Sequence, residues 1–420
     1  VSSLLVEADA FRSGLDRLAA APPFVEAMRR SALERFTTLG FPSTRQEAWK
    51  YTSVAPITKT SFSTQPGGGP PGLNDVGLSF LDSPTVFVDG HKEGAGEVSS
   101  LAPALREGRF EGLLGRLAPW REDAFAALNT AFLEDGALIE VEKGARSTKP
   151  IVLVHLTSGG RISHPRTLIV AGAQSQCSII EVYAGRPGEV YFANAVTEVF
   201  LGDGAVLDIT RVQWQSEAAF QVERVYCAQE RSSQLTCQNF ALGGSLFRSD
   251  IAVNFDGPGA ECELNGLFVP RGAQHMDTAT RIVHAWPHCT SRELFKGILF
   301  GRARGVFSGT VIVEKDAQKT DASQTNRNLL LSPDALVTSV PRLEILADDV
   351  KCKHGSATGQ LNMDALFYLR SRGIDGKEAK GLLVGAFGRD LIQKVSNHPL
   401  RRTLEAELGS RLAQDAEAQS

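Results

Sequence analysis

The sequence lacks the marks of several protein classes. Its six cysteines, Cys177, Cys227, Cys237, Cys262, Cys289 and Cys352, include no Cys-x-x-Cys pair. Six in 420 residues are far too few for a disulfide-built scaffold, which points to a reducing, cytoplasmic setting. No run of about 18 apolar residues exists, so no membrane span is expected. The opening stretch from Val1 to Leu18 scatters charges among apolar residues and has no secretory-signal pattern. Basic excess is missing too: 44 Lys and Arg stand against 48 Asp and Glu, net −4, which argues against a nucleic-acid binder. No G-x-x-x-x-G-K-[ST] loop occurs, and no G-x-G-x-x-G follows a strand. Neither a Gly-x-Ser-x-Gly elbow nor a His-Glu-x-x-His helix is present. The chain therefore reads as non-enzymatic, and any nucleotide chemistry is expected on another chain.

What is there divides into three parts. Residues 1–134 read as mostly helical, with Phe24, Met28, Leu33 and Phe36 at near-helical spacing over 23–39 and Gly40-Phe41-Pro42 as the stop. Gln65 to Gly72, a Gly/Pro-rich run, reads as a linker. A short strand at Thr85–Asp89 and a helix at Ala124–Glu134 follow. Residues 135–346 carry short Val/Ile/Leu/Phe runs broken by Gly, Asp and Ser, with no helix-length pattern between them. Residues 347–420 turn helical again: Met363–Arg372, Ala379–Val395 and a last helix opened by Pro399, its tail fraying from Ala413.

The central part repeats itself. The stretches Val170–Ile179, Phe200–Ile209 and Phe255–Leu264 share a pattern of Gly and small residues before an apolar strand, and Ala228–Cys237 is a weaker copy. Their small residues, Ser175, Ala205, Ser233 and Ala260, recur at a period near 28. One coil per repeat makes this a parallel β-helix. A β-sandwich would give regular strands but not this self-similarity. Cys177, Leu207 and Cys262 share one register position. Ile179, Ile209, Cys237 and Leu264 share another, two residues on and so on the same inward face. These thiols read as small buried hydrophobes.

Two spots carry candidate ligands. His284-Ala285-Trp286-Pro287-His288-Cys289 places imidazoles and a thiol close together, but reads better as a bend packed by Trp286. In Asp348-Asp349-Val350-Lys351-Cys352-Lys353-His354-Gly355, an extended chain puts Cys352 and His354 on one face. Lys351 and Lys353 would favour the thiolate, and thiolate plus imidazole suits iron or zinc. Two ligands leave such a site to be completed by a second chain or a small-molecule ligand. Asp348-Asp349, the only adjacent Asp pair of this region, lies at its end and not along a groove, against a β-helix carbohydrate enzyme.

Several motifs in order resemble one family. They are Gly40-Phe41-Pro42-Ser43-Thr44-Arg45 with Trp49-Lys50-Tyr51-Thr52, Ser291-Arg292-Glu293-Leu294-Phe295-Lys296-Gly297, Gly305-Val306-Phe307-Ser308-Gly309 and Ala317-Gln318-Lys319-Thr320-Asp321-Ala322. Asn328-Leu329-Leu330-Leu331-Ser332 and Ala347–Gly355 with Gly359-Gln360-Leu361 and Ala365–Ile374 complete the set. Together they resemble the SufB/SufD family of iron–sulfur cluster assembly proteins, over about residues 40 to 395. His-Gly-x-x-x-Gly-Gln-Leu followed by Phe-Tyr-Leu-Arg-Ser-Arg-Gly sits nearer its SufD side than its SufB side. The resemblance implies a right-handed parallel β-helix between helical ends. It implies a scaffold working with a SufB-type paralogue and a SufC-type ABC ATPase, as a homodimer where SufB is absent. His354, with Cys352 beside it, would be the ligand at the interface for a transient Fe–S cluster. No cofactor is expected to stay on the isolated chain, although family assemblies are linked to reduced flavin. The ATPase would dock on the C-terminal helices, with Leu382, Phe387 and Ile392 as candidates, although Leu383 and Phe387 read better as packing between those helices, with exposed neighbours making the contact.

Overall fold

The structure, a computed structural model, describes residues 15, 16, 18–62 and 69–418, with side chains described to residue 413. The first half of the expected linker, Gln65 to Gly68, and the start of the N-terminal region lie outside the described residues.

Two long parallel sheets face each other, and the chain crosses from one to the other in every coil. The first sheet holds, in spatial order, Thr85–Val88, Ile151–Leu156, Gln176–Ala184, Val206–Trp214, Gln234–Ala241, Glu261–Phe268, Thr290–Leu299, Asp321–Leu330 and Lys351–Gly359. The second holds Ala137–Val141, Arg166–Ala171, Phe192–Leu201, Phe220–Gln229, Leu246–Phe255, His275–His284, Arg304–Val313 and Leu336–Ile345. This is the parallel β-helix that the repeat predicts. The coil is wider than the strand-forming sequence 135–346. Thr85–Val88 joins the first sheet beside Ile151–Leu156, and Lys351–Gly359 adds a last strand.

The register columns explain the composition. Cys177, Leu207, Leu235, Cys262, Ser291, Ala322 and Cys352 stack in one column, 27 to 31 residues apart. Ile179, Ile209, Cys237, Leu264, Glu293, Gln324 and His354 stack in the next. Parallel strands lie about 4.8 Å apart, so each column is a continuous line of side chains inside the coil. Its apolar members form one core with Ile251, Val253, Phe255 and Phe307 of the facing sheet. Burying each such side chain contributes roughly 1.5–3 kcal/mol. Ser175, Ala205, Ser233 and Ala260 all lie fully buried at the corner before each strand, where the next coil's backbone N–H bonds to their carbonyls at 2.8–2.9 Å. A large side chain has no room there.

Helices cover the two sheets. Pro23–Leu39 and Ala124–Ala131 pack together over the second sheet. The segment leading into Ala124–Ala131 is tied down by Glu198, which accepts N–H bonds from Gly115 (2.9 Å), Leu117 (2.9 Å) and Ala118 (3.2 Å) while paired with the fully buried Arg166, and Arg166 donates to Asn129 Oδ1 of the helix at 3.1 Å. Gly376–Ile392 and His398–Ala418 cover the outer face of the first sheet, burying Val384, Leu391, Ile392, Leu400, Leu404 and Leu408 against Val212, Leu267 and Ile298. The last helix continues to Ala418, past the expected fraying at Ala413. Among the described residues, no helix is long and apolar enough to cross a membrane.

Candidate functional site

The two ends of the coil differ. At the N-terminal end the first sheet is closed by the antiparallel strand His91–Glu93, and the second by Ser99–Ser100. At the C-terminal end Lys351–Gly359 and Leu336–Ile345 are the outermost strands, each paired on one side. Lys351–Gly359 is largely exposed and Leu336–Ile345 mostly half-buried, and Leu336, Ile345 and Leu346 show large apolar side chains to water. An unpaired edge is a ready template for another chain.

The interior changes chemistry on the way to this end. In the column of Ile179, the inward position that holds Ile, Leu or Cys in the early coils holds Glu293, Gln324 and then His354, while the neighbouring columns that reach Asn326 and Asn328 are polar already at Glu181, Arg211, Tyr183 and Gln213. The amides bond among themselves and to backbone: Asn326 Nδ2 donates to the Phe295 carbonyl at 3.2 Å, and Asn328 Nδ2 to Asn326 Oδ1 at 2.6 Å. A pocket of about 340 Å³ lies along this edge, lined by consecutive residues of the last two strands of the first sheet, among them Gln324, Asn326, His354 and Ser356. Among the described residues, no hydrogen bond fixes the His354 ring.

Cys352 and His354 therefore do sit on one face of one edge strand, at the mouth of the coil. The effect expected of the lysines is corrected. Lys351 and Lys353 alternate to the opposite face, where they act on Asp321. The Cys352 thiol packs with Val311, Val313 and Ala322, and burial followed by the nearby Asp321 charge pushes its pKa up, only partly offset by the Ala322 N–H. It is a neutral thiol until a cation displaces its proton. Among the described residues, no three His, Cys, Asp or Glu side chains converge to hold a metal ion. A thiol and an imidazole on one strand face are donors of a kind that iron or zinc accepts.

The other candidates are placed as follows. Leu382 is exposed. Phe387 is half-buried, its ring 4.9 Å from Lys296 Nζ. Ile392, expected at a docking surface, is 1% exposed and belongs to the core between helix and sheet, so it has no side chain to offer a partner. The exposed apolar surface is instead Met363, Phe367 (74% exposed) and Tyr368 on the preceding helix, with Leu382 beside them in the chain. Phe367 and Tyr368 occur within the quoted motif, but their lack of cover was invisible in sequence. At the other histidine spot, His284 is buried with Nε2 2.9 Å from Ser291 Oγ, and Cys289 is buried at a corner. Trp286 does not pack the bend; it is 46% exposed. Asp349 caps the corner below Lys351, its carbonyl accepting the Lys319 N–H at 2.7 Å. The inward Glu293 and Gln324 were missed. Extending the column of Ile179 past Leu264 would have found them.

The comparisons agree with this architecture. Residues 154–387 match the family described as "SUF system FeS cluster assembly, SufBD core domain", and residues 9–66 match the "SufBD protein N-terminal region". The chain is 28% identical to the iron–sulfur cluster assembly protein SufD of Escherichia coli over 390 residues, 90% of this chain and 91% of that one. It is 30% identical to an iron–sulfur cluster assembly SufBD family protein of Synechocystis, covering 87% of this chain and 86% of that one. It is also 30% identical to the chloroplastic protein ABCI7 of Arabidopsis thaliana, over 92% of this chain and 86% of that one. The chain belongs to the SufBD family.

Proposed function

We propose that this SufBD-family chain is a SufD-type, non-catalytic scaffold subunit for iron–sulfur cluster assembly. Its open coil end joins a second β-helix chain of SufB type, and its C-terminal helices receive a separate ATPase of SufC type. The observation that carries the reading is the uncapped last coil, with Cys352 and His354 on its unpaired edge strand. Two soft-to-borderline donors on an edge make half a site, and a partner's edge strand supplies the other half. The nascent cluster is the cargo of the joined chains, held for transfer. Docking of the ATPase is supported by the exposed Met363, Phe367, Tyr368 and Leu382. All six cysteines are free thiols, which suits a reducing compartment such as the cytoplasm.

The test is reconstitution of the complex with wild-type chain or His354→Ala, followed by iron and acid-labile sulfide analysis. The expected result is loss of cluster in the variant while the complex elutes unchanged. Unchanged iron and sulfide would overturn the role given to His354.

A further inference from the structure

One coil inside His354 lies a pocket of polar groups that the assembly reading does not use. Glu293 and Gln324, its column neighbours, are 2% and 1% exposed, and Thr280 of the facing sheet is 4% exposed. Gln324 Nε2 donates to Glu293 Oε2 at 2.7 Å. That bond, and the missing side chain at Gly309, fix the carboxamide: a Cβ at Gly309 would lie 2.1 Å from Gln324 Nε2. Thr280 faces the Glu293 carboxyl without a well-formed hydrogen bond. Three buried oxygens are left without partners: Thr280 Oγ1, Glu293 Oε1 and Gln324 Oε1.

Buried polar atoms in a native interior are nearly always satisfied, so three orphaned oxygens at one place point to something between them. A water has two protons to donate, and a cation satisfies all three oxygens at once. We infer that Glu293, Gln324 and Thr280 form an interior site for one divalent cation that prefers oxygen ligands. Hard divalent ions take carboxylate, amide and hydroxyl oxygens together and keep waters for the remaining positions. Gln324 also lines the pocket along the edge at His354, so the proposed site lies one coil from the open end. The site itself is independent of the assembly role; that its cation is ferrous iron rests on that role.

The test is Mn²⁺ binding to the purified full-length chain at pH 8, read by electron paramagnetic resonance. Wild type is expected to take up one ion per chain. Glu293→Gln should weaken binding at least tenfold, and Thr280→Val severalfold, each checked for folding by circular dichroism. His354→Ala should leave the affinity within twofold. Wild-type affinity in both Glu293→Gln and Thr280→Val would overturn the site, as would no saturable binding by wild type, which would mean that a water fills the pocket. Loss of Mn²⁺ in His354→Ala alone would also overturn it, by placing the ion on the edge. Cluster loss by His354→Ala in the assembled complex is a separate readout, so the two readings fail separately.

Discussion

Substituting Asp390 by Asn should loosen the C-terminal helices without unfolding the coil. Lys296 projects from the first sheet and is 6% exposed. Its Nζ reaches Asp390 Oδ1 and Oδ2 at 2.8 and 2.7 Å and the Phe387 carbonyl at 2.9 Å. Asn leaves this ammonium with no counter-charge. Breaking a fully buried pair costs about 3–5 kcal/mol. Asp390 is 53% exposed, however, so water already screens the carboxylate and the expected loss falls to about 1–3 kcal/mol. That corresponds to about 5- to 150-fold more frequent opening of the helix Gly376–Ile392. Hydrogen exchange read by mass spectrometry reports this directly, because local opening is far cheaper than global unfolding. Amides over 384–392 should exchange faster by that factor, while those of the coil strands stay unchanged. Adding Lys296→Met removes the stranded charge and should restore most of the protection, since an apolar replacement of a buried pair is often near neutral. An unchanged exchange rate in Asp390→Asn would refute the claim that this pair anchors the helix.

Acid should destabilise the chain in two steps. Burial holds the neutral form of His284 down to about 4; this depressed pKa gives stability that is full above the unfolded value near 6.5 and lost as pH falls toward 4. Burial opposes the charge on Glu181, but Arg211 and His155 outweigh it and set the carboxyl at about 2, so its contribution is lost from about 4.5 downward. Denaturant unfolding between pH 7 and 3 should show a flatter upper slope in His284→Asn. Gly297→Ala should cost roughly 1–3 kcal/mol in the same assay, because the new Cβ would lie 2.4 Å from the Phe268 ring and 2.6 Å from Asn328 Oδ1. Phe367→Ser should leave the melting temperature unchanged and weaken capture of a SufC-type ATPase; unaltered capture would move that docking surface elsewhere. Cys352 should alkylate more slowly than a free thiol at pH 7.5, and reversing the charges of Lys351 and Lys353 should change that rate by less than about twofold.

Much of the fold is legible in the order of residues. Small residues before each strand and alternation within it are local consequences of a coil that must turn sharply and bury one face. Ser175, Ala205, Ser233 and Ala260 therefore announce the period, and the inward cysteines follow from their places beside Ile and Leu. Two residues apart on an extended strand also put Cys352 and His354 on one face. Where the coil becomes polar the same signal fails. Glu293 and Gln324 look like surface residues in sequence, and the strand Lys351–Gly359 shows no apolar alternation because its inward side meets an open mouth and not a core.

Tertiary structure alone decided the rest. Ile392 and Phe367 are both apolar residues on short-period helices, but one faces the outer sheet and the other faces water. Which face is covered depends on where the helix lands, a long-range matter that no local spacing encodes. The thiol of Cys352 follows the same rule: flanking lysines suggest a thiolate, yet the strand's alternation turns them away and the half-buried thiol packs against the cluster of Val311, Val313 and Ala322. Sequence sets period, corner and side; the packing of one coil against the next sets solvation, and solvation decides which of these groups can do chemistry.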